Sequence, residues 1–536
     1  MSSSSIGIHS VNPFSIGDDT SDSNPSIIDY DPLESVDLAA KIFQHLFNIP
    51  GLCNKSCTAL NSSTKRDLHE KVNVIDVRMD SSQSNFTNLL LIQNIPAQEG
   101  RIYCLKFSFD GKYICSAGTD KIVYVWEIKN NRGNYKVSNS NSSISGSSDA
   151  RERSEDFDDD FQSSISSESN KVRDNEDDDN IIYNNSAFID PKPYRKFIGH
   201  GDIIVDIAWS KLKLNFIVSA SIDTTVRLWH IDSKDNSCLR IFKHDFAPTV
   251  VDFLTENIFI SGCMDNKIRI WDISVPNNDT EDVKGIGIDG GKEITAVASV
   301  PLMGSSKVII GLSDGDIKVF DYSKTQGDKG KLSEDQARGT VSCRNKNGRF
   351  STGTKVTGII TKDVKGRTNS TNNRNEQQFQ LYVTTNDSRI RKIEDRSVIK
   401  KFKGHQNESW QIKASISDCG KYIICGSDNG KVYVWNTEHK TKVSWFYSYL
   451  ISDKKAERNE SYEYFDCTGK SKVPVAIALF APSLTIKDMI DSCNELSPRD
   501  VKLSNESDLE LGSRIIITAD FEGKIKVYLN LKRIIE

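Results

Sequence analysis

Short runs of alternating apolar and polar residues, separated by polar turns, recur along the chain from about residue 86 to its end. The clearest copy, residues 199–231, opens with Gly199-His200, continues through strand patterns at 203–209 and 216–221, and closes near Trp229. Residues two apart share one face of a strand, so this alternation predicts half-buried strands rather than helices. Six other segments are imperfect copies. The repetition predicts an all-β fold, a seven-bladed β-propeller, because one blade cannot bury both of its faces without neighbours.

Polar side chains at fixed positions of each copy are predicted to hold the blade together. In the clearest copy they are His200, Ser219, Asp223 and Trp229. A buried polar group without a partner costs about 1–3 kcal/mol, so we expect these four to form one hydrogen-bonded set. The equivalent positions of the other copies are held by Ser116, Asp120 and Trp126; His244, Ser261, Asp265 and Trp271; Asp314; Asp387; His405, Asn429 and Trp435; and Glu522 and Tyr528. Copies two and three keep all four residue types and should form the most rigid sector of the ring.

The strand pattern at 86–95 lies before the first copy and predicts how the ring closes. The first and last blades of a propeller must share strands, or two sheet edges stay open. We therefore expect this segment to supply the outer strand of the last blade. The propeller would span residues 86–536, with an acidic insertion at 129–190 that leaves between blades one and two, and a second insertion at 483–512 in blade seven. Composition predicts that both insertions are disordered.

Residues 1–85 are predicted to be a mostly disordered extension with one helix near 32–48. Asp31-Pro32 is a favourable start for a helix, and Pro50-Gly51 ends it. Its apolar residues recur at helical spacing and form a stripe. Two interpretations stay open, a helix docked on the propeller and a helix that binds a partner.

Charge and cysteine content limit the classes of function. The chain has a net charge of −5, but residues 149–179 contain 13 acidic and 4 basic residues, a local charge of −9, so the remainder sums to +4. This excess is too small to predict nucleic-acid binding. The 11 scattered cysteines do not have the pattern of a disulfide framework, and we expect neither a secretory signal nor a membrane span. We expect a cytoplasmic protein whose membrane contact, if any, is peripheral.

The sequence contains no recognisable catalytic motif, so we predict a non-enzymatic protein without a cofactor or metal. The loop 285–292 resembles a phosphate-binding loop only superficially, because Glu293 follows its lysine where Ser or Thr is needed. Basic residues recur two positions before the closing residue in five copies and are predicted to form salt bridges between blades: Arg227, Arg269, Lys318, Arg391 and Lys526.

Two surface features are candidates for binding. The residue just before the turn aspartate should lie where the loops of one face gather, and exposed Ile, Met and Phe there indicate a protein partner. These positions are Thr119, Ile222, Met264, Ser313, Asn386, Asp428 and Phe521. The loop 339–355 carries a basic cluster, Arg344, Lys346, Arg349 and Lys355, which could bind the phosphate of a lipid headgroup or of a phosphorylated peptide.

The segments 206–231, 355–362, 384–397 and 404–437 together resemble the WD-repeat family that includes the rabphilin-like, Rab-binding proteins. Ser388-Arg389-Ile390-Arg391 and the run 411–415 are the most specific parts of this resemblance. It implies a scaffold or effector of Rab GTPases in endosomal or vesicle traffic. The alternatives are an adaptor or substrate receptor of a ubiquitin ligase or other complex, and phosphoinositide or nucleic-acid binding through the basic loop.

Overall fold

Seven β-sheets form a closed ring in the computed structural model. The first strand of each sheet contacts the first strand of the next, in a cycle that returns to the first sheet, so these strands surround a central axis. The structure describes residues 74–79, 86, 89–129, 187–211, 215–275, 286–288, 291–300, 306–323, 331–334, 339–344, 354–363, 379–394, 396–438, 456–486 and 513–530. The chain is therefore a seven-bladed β-propeller, as the repeats predict.

The strands follow the order of the repeats. Three precede blade one: β1 (Val74–Ile75), β2 (Val77–Met79) and β3 (Leu89–Pro96). Blades one to three contain β4 (Ile102–Phe107), β5 (Tyr113–Gly118), β6 (Ile122–Glu127), β7 (Arg195–Ile198); β8 (Ile204–Trp209), β9 (Phe216–Ser221), β10 (Thr225–His230), β11 (Arg240–Lys243); and β12 (Pro248–Phe253), β13 (Ile258–Cys263), β14 (Lys267–Asp272), β15 (Ile286–Gly287).

Blades four to seven are five-stranded sheets. Blade four contains β16 (Ile294–Val300), β17 (Ser306–Leu312), β18 (Asp316–Ser323), β19 (Lys331–Glu334) and β20 (Thr340–Ser342). Blade five contains β21 (Val356–Asp363), β22 (Phe379–Thr385), β23 (Arg389–Glu394), β24 (Ser397–Phe402) and, later in the chain, β28 (Glu457–Asn459), which pairs with β24. Blades six and seven contain β25 (Ala414–Ile416), β26 (Tyr422–Cys425), β27 (Lys431–Asn436), β29 (Glu463–Asp466); and β30 (Val475–Phe480), β31 (Ile515–Asp520), β32 (Lys524–Asn530), each with N-terminal strands added.

Hydrophobic packing between neighbouring blades forms the core. Each of seven buried clusters joins one pair of adjacent blades. Between blades one and two, for example, Val123 and Phe197 pack with Trp229. The ring of Phe197 stacks on that of Trp229 with centroids 5.2 Å apart. Because each blade buries both faces in this way, stability depends on the ring being closed.

The N-terminal strands close the ring. As predicted, β3 pairs antiparallel with β32 and becomes the outer strand of blade seven. Two shorter strands extend neighbouring sheets: β1 pairs with β3 at the outer edge of blade seven, and β2 pairs with β29 at the outer edge of blade six. Between them Phe86 is buried at the junction of these blades, where its backbone N–H donates to a carboxylate oxygen of Glu463 at 2.8 Å.

The acidic insertion lies inside blade one, not between blades one and two. The outer strand of blade one, β7, comes after the insertion in the chain and pairs with β6. An isolated bridge between Ile128 and Ile189 joins the two ends of the described chain there. The prediction was wrong because a sequence repeat and a structural blade differ by one strand, so the fourth strand comes after the apparent end of the repeat.

Other predictions fall partly or wholly beyond the described ranges. The predicted helix near 32–48 lies outside the described residues. Residues 130–186 and 487–512 also lie outside them, while 483–486 form one helical turn and Gly469–Ser471 a 3-10 turn.

Candidate partner-binding face

Blade two contains the predicted hydrogen-bonded set in full. Trp229 Nε1 donates to Ser219 Oγ at 2.8 Å, and His200 contacts Ser219 Oγ at 2.7 Å through Nε2 and Asp223 Oδ2 at 2.8 Å through Nδ1. The Asp223 carboxylate can only accept, so the Nδ1–H of His200 donates to it, and Nε2 accepts the Ser219 hydroxyl proton while that hydroxyl accepts from the Trp229 indole N–H. His200 is therefore in the tautomer whose Nδ1–H donates to Asp223.

The Asp223 carboxylate is the most strongly held group of this set. Its Oδ2 also accepts the backbone N–H of Gly201 at 2.9 Å, and its Oδ1 accepts the hydroxyl of Thr225 at 2.7 Å. Burial acts to raise the pKa of Asp223, but the hydrogen bonds from His200 and Thr225 outweigh it and hold the pKa below its usual range. Blade two thereby fixes the turn that precedes β10.

Blade three keeps the residues of this set but divides them. His244 Nε2 and Trp271 Nε1 both contact Ser261 Oγ at 2.8 Å, as in blade two. His244 Nδ1, however, faces the carbonyl oxygen of Phe242 at 3.2 Å, and Asp265 pairs instead with Arg269. The expectation of one four-membered set in blade three was therefore wrong, because Arg269 rather than His244 binds the Asp265 carboxylate.

Blades one, four and seven keep parts of the set. Trp126 Nε1 donates to Ser116 Oγ at 3.1 Å, while Asp120 accepts the backbone N–H of Ile122 at 3.3 Å. In blade four Asp314 accepts the backbone N–H of Asp316 at 3.2 Å, while Ile310 stands where blades one to three have serine and packs in the apolar cluster shared with blade three. In blade seven Tyr528 takes the tryptophan position and donates to Cys467 Sγ at 3.2 Å.

A buried ion pair replaces the missing histidine and tryptophan of blade five. Arg391 is fully buried, and its Nη1 donates to Asp387 Oδ1 at 2.9 Å. Its Nη2 and Asp387 Oδ2 form a second contact, and Arg389 Nη1 donates to the same oxygen at 2.8 Å. Burial acts to raise the pKa of Asp387, but Arg391 lowers it to about 2. Both arginines belong to the motif 388–391 that carries the family resemblance.

Three of the five basic residues of the third strands form their ion pairs within their own blade. Arg269 pairs with Asp265, Arg391 with Asp387, and Lys526 lies 3.8 Å from Asp520, each within its own blade. The first two pairs are four residues apart, close enough for the side chain to return to the turn of the same hairpin. The prediction of salt bridges between blades was wrong for these three.

The histidine of blade six has no such set. Both ring nitrogens of His405 are buried without a hydrogen-bond partner among the described residues. Trp435 Nε1 donates instead to the carbonyl oxygen of Lys403 at 2.9 Å, and Asn429 Nδ2 donates to Tyr433 Oη at 3.0 Å. Burial lowers the pKa of His405 to about 4. Cys425, which stands where blades one to three have serine, is a weak partner for a ring nitrogen.

This difference predicts opposite effects for the same substitution. His200→Phe removes the hydrogen bonds of the ring to Ser219 and to Asp223, and it should lower the free energy of unfolding by about 2 kcal/mol or more. His405→Phe removes two unpartnered nitrogens from an apolar site and should be neutral or stabilising. Urea denaturation at pH 7 followed by fluorescence measures both. Equal losses in the two variants would contradict this account.

The seven predicted face positions form a geometrically equivalent ring. In every blade the backbone N–H at this position donates to a carbonyl oxygen in the connection that enters the same blade, at 2.9–3.1 Å. The donors, in chain order, are the N–H groups of Thr119, Ile222, Met264, Ser313, Asn386, Asp428 and Phe521. Their acceptors, in the same order, are the carbonyl oxygens of Arg101, Ile203, Ala247, Glu293, Lys355, Gln406 and Pro474. We name the face that carries these turns and connections the upper face.

Exposed apolar side chains of the upper face are concentrated on blades two and three. Ile222 is 44% exposed, Met264 is 49% exposed, and Phe246, which the sequence did not single out, is 58% exposed. Phe246 lies between the other two, since Ala247 accepts the N–H of Met264 and His244 donates its N–H to Thr224 of the blade-two turn. We name Ile222, Phe246 and Met264 the upper apolar patch.

Phe521 does not belong to an exposed surface. It is only 9% exposed, and its ring meets the ring of Trp410 edge-on with centroids 4.9 Å apart. The Arg101 guanidinium lies 5.0 Å from the centroid of Trp410 and 5.5 Å from that of Phe521. Phe521 was a wrong prediction as an exposed contact, because the connection entering blade six covers it.

That connection, residues 403–413, crosses part of the central opening. Gln411 Nε2 donates to the carbonyl oxygens of Thr295 in blade four at 2.9 Å and Thr357 in blade five at 3.0 Å. Lys413 Nζ reaches farther and donates to Asp206 Oδ1 of blade two at 2.8 Å. Residues in blade six thereby contact blades two, four and five, which stiffens the ring.

The predicted phosphate-binding loop is only partly described. Arg344 is paired with two carboxylates, Asp314 at 2.5 Å and Asp316 at 2.8 Å. Two carboxylates therefore already hold the Arg344 guanidinium, because the loop returns past the turn of its own blade. Lys346 and Arg349 lie outside the described residues, and Lys355 is exposed at the entrance to β21.

Comparison with protein-family models identifies four repeats. The model "WD domain, G-beta repeat" matches residues 90–127, 191–230, 236–272 and 396–436. Each match begins with the outer strand of one blade and continues through the first three strands of the next. This offset explains why the repeats predict the number of blades but displace the insertion in blade one.

Curated relatives extend the similarity beyond these repeats. The chain is 29% identical over 459 residues to WD repeat-containing protein 44 of Xenopus laevis, covering 84% of this chain and 45% of the relative. It is 26% identical to 2-deoxy-glucose resistant protein 2 of Saccharomyces cerevisiae, over 65% of this chain and 40% of the relative. It is 25% identical to Jouberin of Rattus norvegicus, over 51% of this chain and 24% of the relative. The chain thus spans less than half the length of these relatives.

Among its described residues, no helix has the length and apolarity to cross a membrane.

Proposed function

From this WD-repeat propeller we propose a non-enzymatic protein-interaction scaffold that docks a partner on the upper apolar patch. The observation that carries the proposal is the adjacency of three large exposed apolar side chains, Ile222, Phe246 and Met264, on one face. Large exposed apolar side chains that adjoin are typical of protein contact sites.

The scaffold beneath the patch supports the same function. Ile222 immediately precedes Asp223, whose carboxylate accepts four hydrogen bonds from His200, Gly201 and Thr225. Met264 follows Cys263, whose sulfhydryl donates to the carbonyl oxygen of Phe246 at 2.9 Å. A rigid patch loses little conformational freedom on binding, which favours affinity.

We propose a Rab-family GTPase as the partner, with a role in vesicle traffic at the cytoplasmic surface of a membrane. The similarity to WD repeat-containing protein 44 over 84% of this chain supports this choice, together with the motif 388–391. Because the chain spans only 45% of that relative, the partner needs a direct test.

Paired substitutions in the patch provide that test. We expect the full chain to be retained by at least one Rab loaded with a non-hydrolysable GTP analogue and not by the GDP form. Ile222→Asp combined with Met264→Asp should weaken retention by more than about tenfold, because central apolar contacts dominate interface energies. Phe109→Ser is the matched control, since Phe109 is also exposed, at 64%, but lies in the turn between β4 and β5 on the opposite face.

Two outcomes would contradict the proposal in different ways. Absence of GTP-dependent retention by every Rab tested would remove the Rab partner. Equal weakening by the Phe109 variant and the double variant would remove the upper apolar patch as the contact site. Circular dichroism of each variant establishes that the propeller is still folded.

A further inference from the structure

Unpartnered polar atoms are concentrated where the upper face of blade five meets that of blade six. They are side-chain oxygens of Asn386, Asn407, Gln411 and Asp428. Each oxygen is buried and lacks a hydrogen-bond partner among the described residues. Asn407 is completely buried, with an exposed fraction of 0%. Buried polar groups in native proteins normally have a partner, so a local excess of this kind indicates a missing one.

Backbone contacts bring these groups together. The N–H of Asn407 donates to Ser388 Oγ at 3.0 Å, two residues from Asn386 in the blade-five turn. The next residue, Glu408, donates its N–H to Asp428 Oδ2 in the blade-six turn at 2.8 Å. Asn407 therefore lies between the two turns. We name Asn386, Asn407, Gln411 and Asp428 the blade five–six seam.

Gln411 extends the seam toward the central opening. Its amide nitrogen donates to the carbonyl oxygen of Thr357, while the Nδ2 of Asn407 lies 3.5 Å from the hydroxyl oxygen of the same residue. The side chains of Asn386, Gln411 and Asp428 are partly exposed, so the seam reaches the surface, although its four unpartnered oxygens themselves have almost no exposed area.

The chemistry of the seam favours a cationic donor. Carboxylate and amide oxygens can only accept hydrogen bonds, and one of the four belongs to an acidic side chain. The arginines nearest in sequence, Arg389 and Arg391, are bound to Asp387 and do not supply the missing donors. A lysine ammonium offers three donors and an arginine guanidinium five, each with a positive charge.

We propose that the blade five–six seam receives a lysine or arginine side chain of a protein partner. Asp428 Oδ1 pairs with the positive charge of that side chain. The amide oxygens of Asn386, Asn407 and Gln411 accept hydrogen bonds from its N–H groups and orient it. The proposal rests on the proposed function, and it adds a polar contact across the ring from the upper apolar patch. Internal water is the alternative occupant, since it also satisfies buried acceptors.

Saturation-transfer difference NMR on the full chain tests the proposal with small probes. The probes are the N-acetyl methylamides of arginine, lysine and norleucine, which differ in the side-chain head. We expect arginine and lysine to receive saturation and norleucine to receive none. Asp428→Asn should weaken arginine binding by about tenfold, because a hydrogen bond to a charged group is lost.

Asp245→Asn is the matched control, because Asp245 is an exposed carboxylate on the same face beside the upper apolar patch. It should leave arginine binding unchanged. Three results would overturn the proposal and leave water as the occupant. They are equal signals from all three probes, no signal from the arginine or lysine probe, and unchanged binding of the arginine probe to the Asp428→Asn variant. Since the probes contain no Rab, the seam can fail while Rab retention persists, and Rab retention can fail while the seam binds arginine.

Discussion

Replacement of Arg391 with methionine is expected to lower the free energy of unfolding by about 3–5 kcal/mol, because removal of one member of a buried ion pair leaves the other charge unpaired. The side chains of Arg391 and Asp387 are almost completely buried, and the pair joins β23 to the turn that precedes it. Methionine retains much of the apolar volume of arginine, so the loss reflects the isolated Asp387 carboxylate rather than a cavity. Urea denaturation at pH 7 measures the effect.

Two further variants separate this effect from general damage. Arg389→Met removes a more exposed partner of the same carboxylate and should cost about 1 kcal/mol or less. The double variant Asp387→Leu with Arg391→Met removes both charges and should be more stable than Arg391→Met alone. A double variant less stable than the single one would contradict the assignment.

The pH dependence of this loss has a definite sign. Arg391 lowers the pKa of Asp387 to about 2, below the value of about 3.9 for an unfolded chain. The pair therefore stabilises the native state above pH 4, and this contribution disappears as the pH falls toward 2. Without Arg391, burial raises the pKa of Asp387, so protonation relieves the unpaired charge. The stability difference between the two proteins should shrink as the pH is lowered from 7 to 4.

The stability of the propeller should fall abruptly as N-terminal truncation reaches the strands that close the ring. Removal of residues 1–96 deletes β1, β2 and β3 and leaves β32 as an open edge, so we expect loss of the cooperative unfolding transition. Removal of residues 1–88 retains β3 but deletes Phe86, β1 and β2. It should cost about 3–5 kcal/mol, the usual effect of losing a buried aromatic side chain.

Removal of residues 1–73 is the control because it deletes no described strand. Its unfolding midpoint should match that of the full chain. Differential scanning calorimetry of the three truncated proteins gives the comparison. A cooperative transition at the original midpoint after removal of residues 1–96 would contradict closure of the ring by β3. Partner mapping should use the truncation at residue 73, since a longer one disturbs the propeller itself.

The fold was predictable because its determinants are periodic. Alternation in 199–231 predicts strands, and its copies predict seven blades. The position of 86–95 predicts closure, since an unmatched strand before the first repeat has only one sheet edge to complete. The face positions were also predictable as a set, because each precedes the turn residue by one. Their seven equivalent backbone hydrogen bonds follow from that spacing.

The site was less predictable because it depends on contacts between distant segments. The sequence does not reveal that Trp410 of blade six covers Phe521 of blade seven, or that Phe246 lies between two turns. It also does not reveal which partner a carboxylate selects. Asp223 binds histidine, whereas Asp265 and Asp387 bind arginines four residues later. A basic residue four after the turn aspartate does not decide the choice, because Arg227 stands four residues after Asp223 as well.

Hydrogen–deuterium exchange of the captured complex tests the central claim, that the partner docks on the upper face of blades two and three. We predict protection on partner binding in 218–226, 244–249 and 261–267, the segments that contain Ile222, Phe246 and Met264. The turn around Phe109 on the opposite face should exchange at the same rate in free and bound protein. Protection confined to that opposite face, with unchanged exchange at these three segments, would contradict the account.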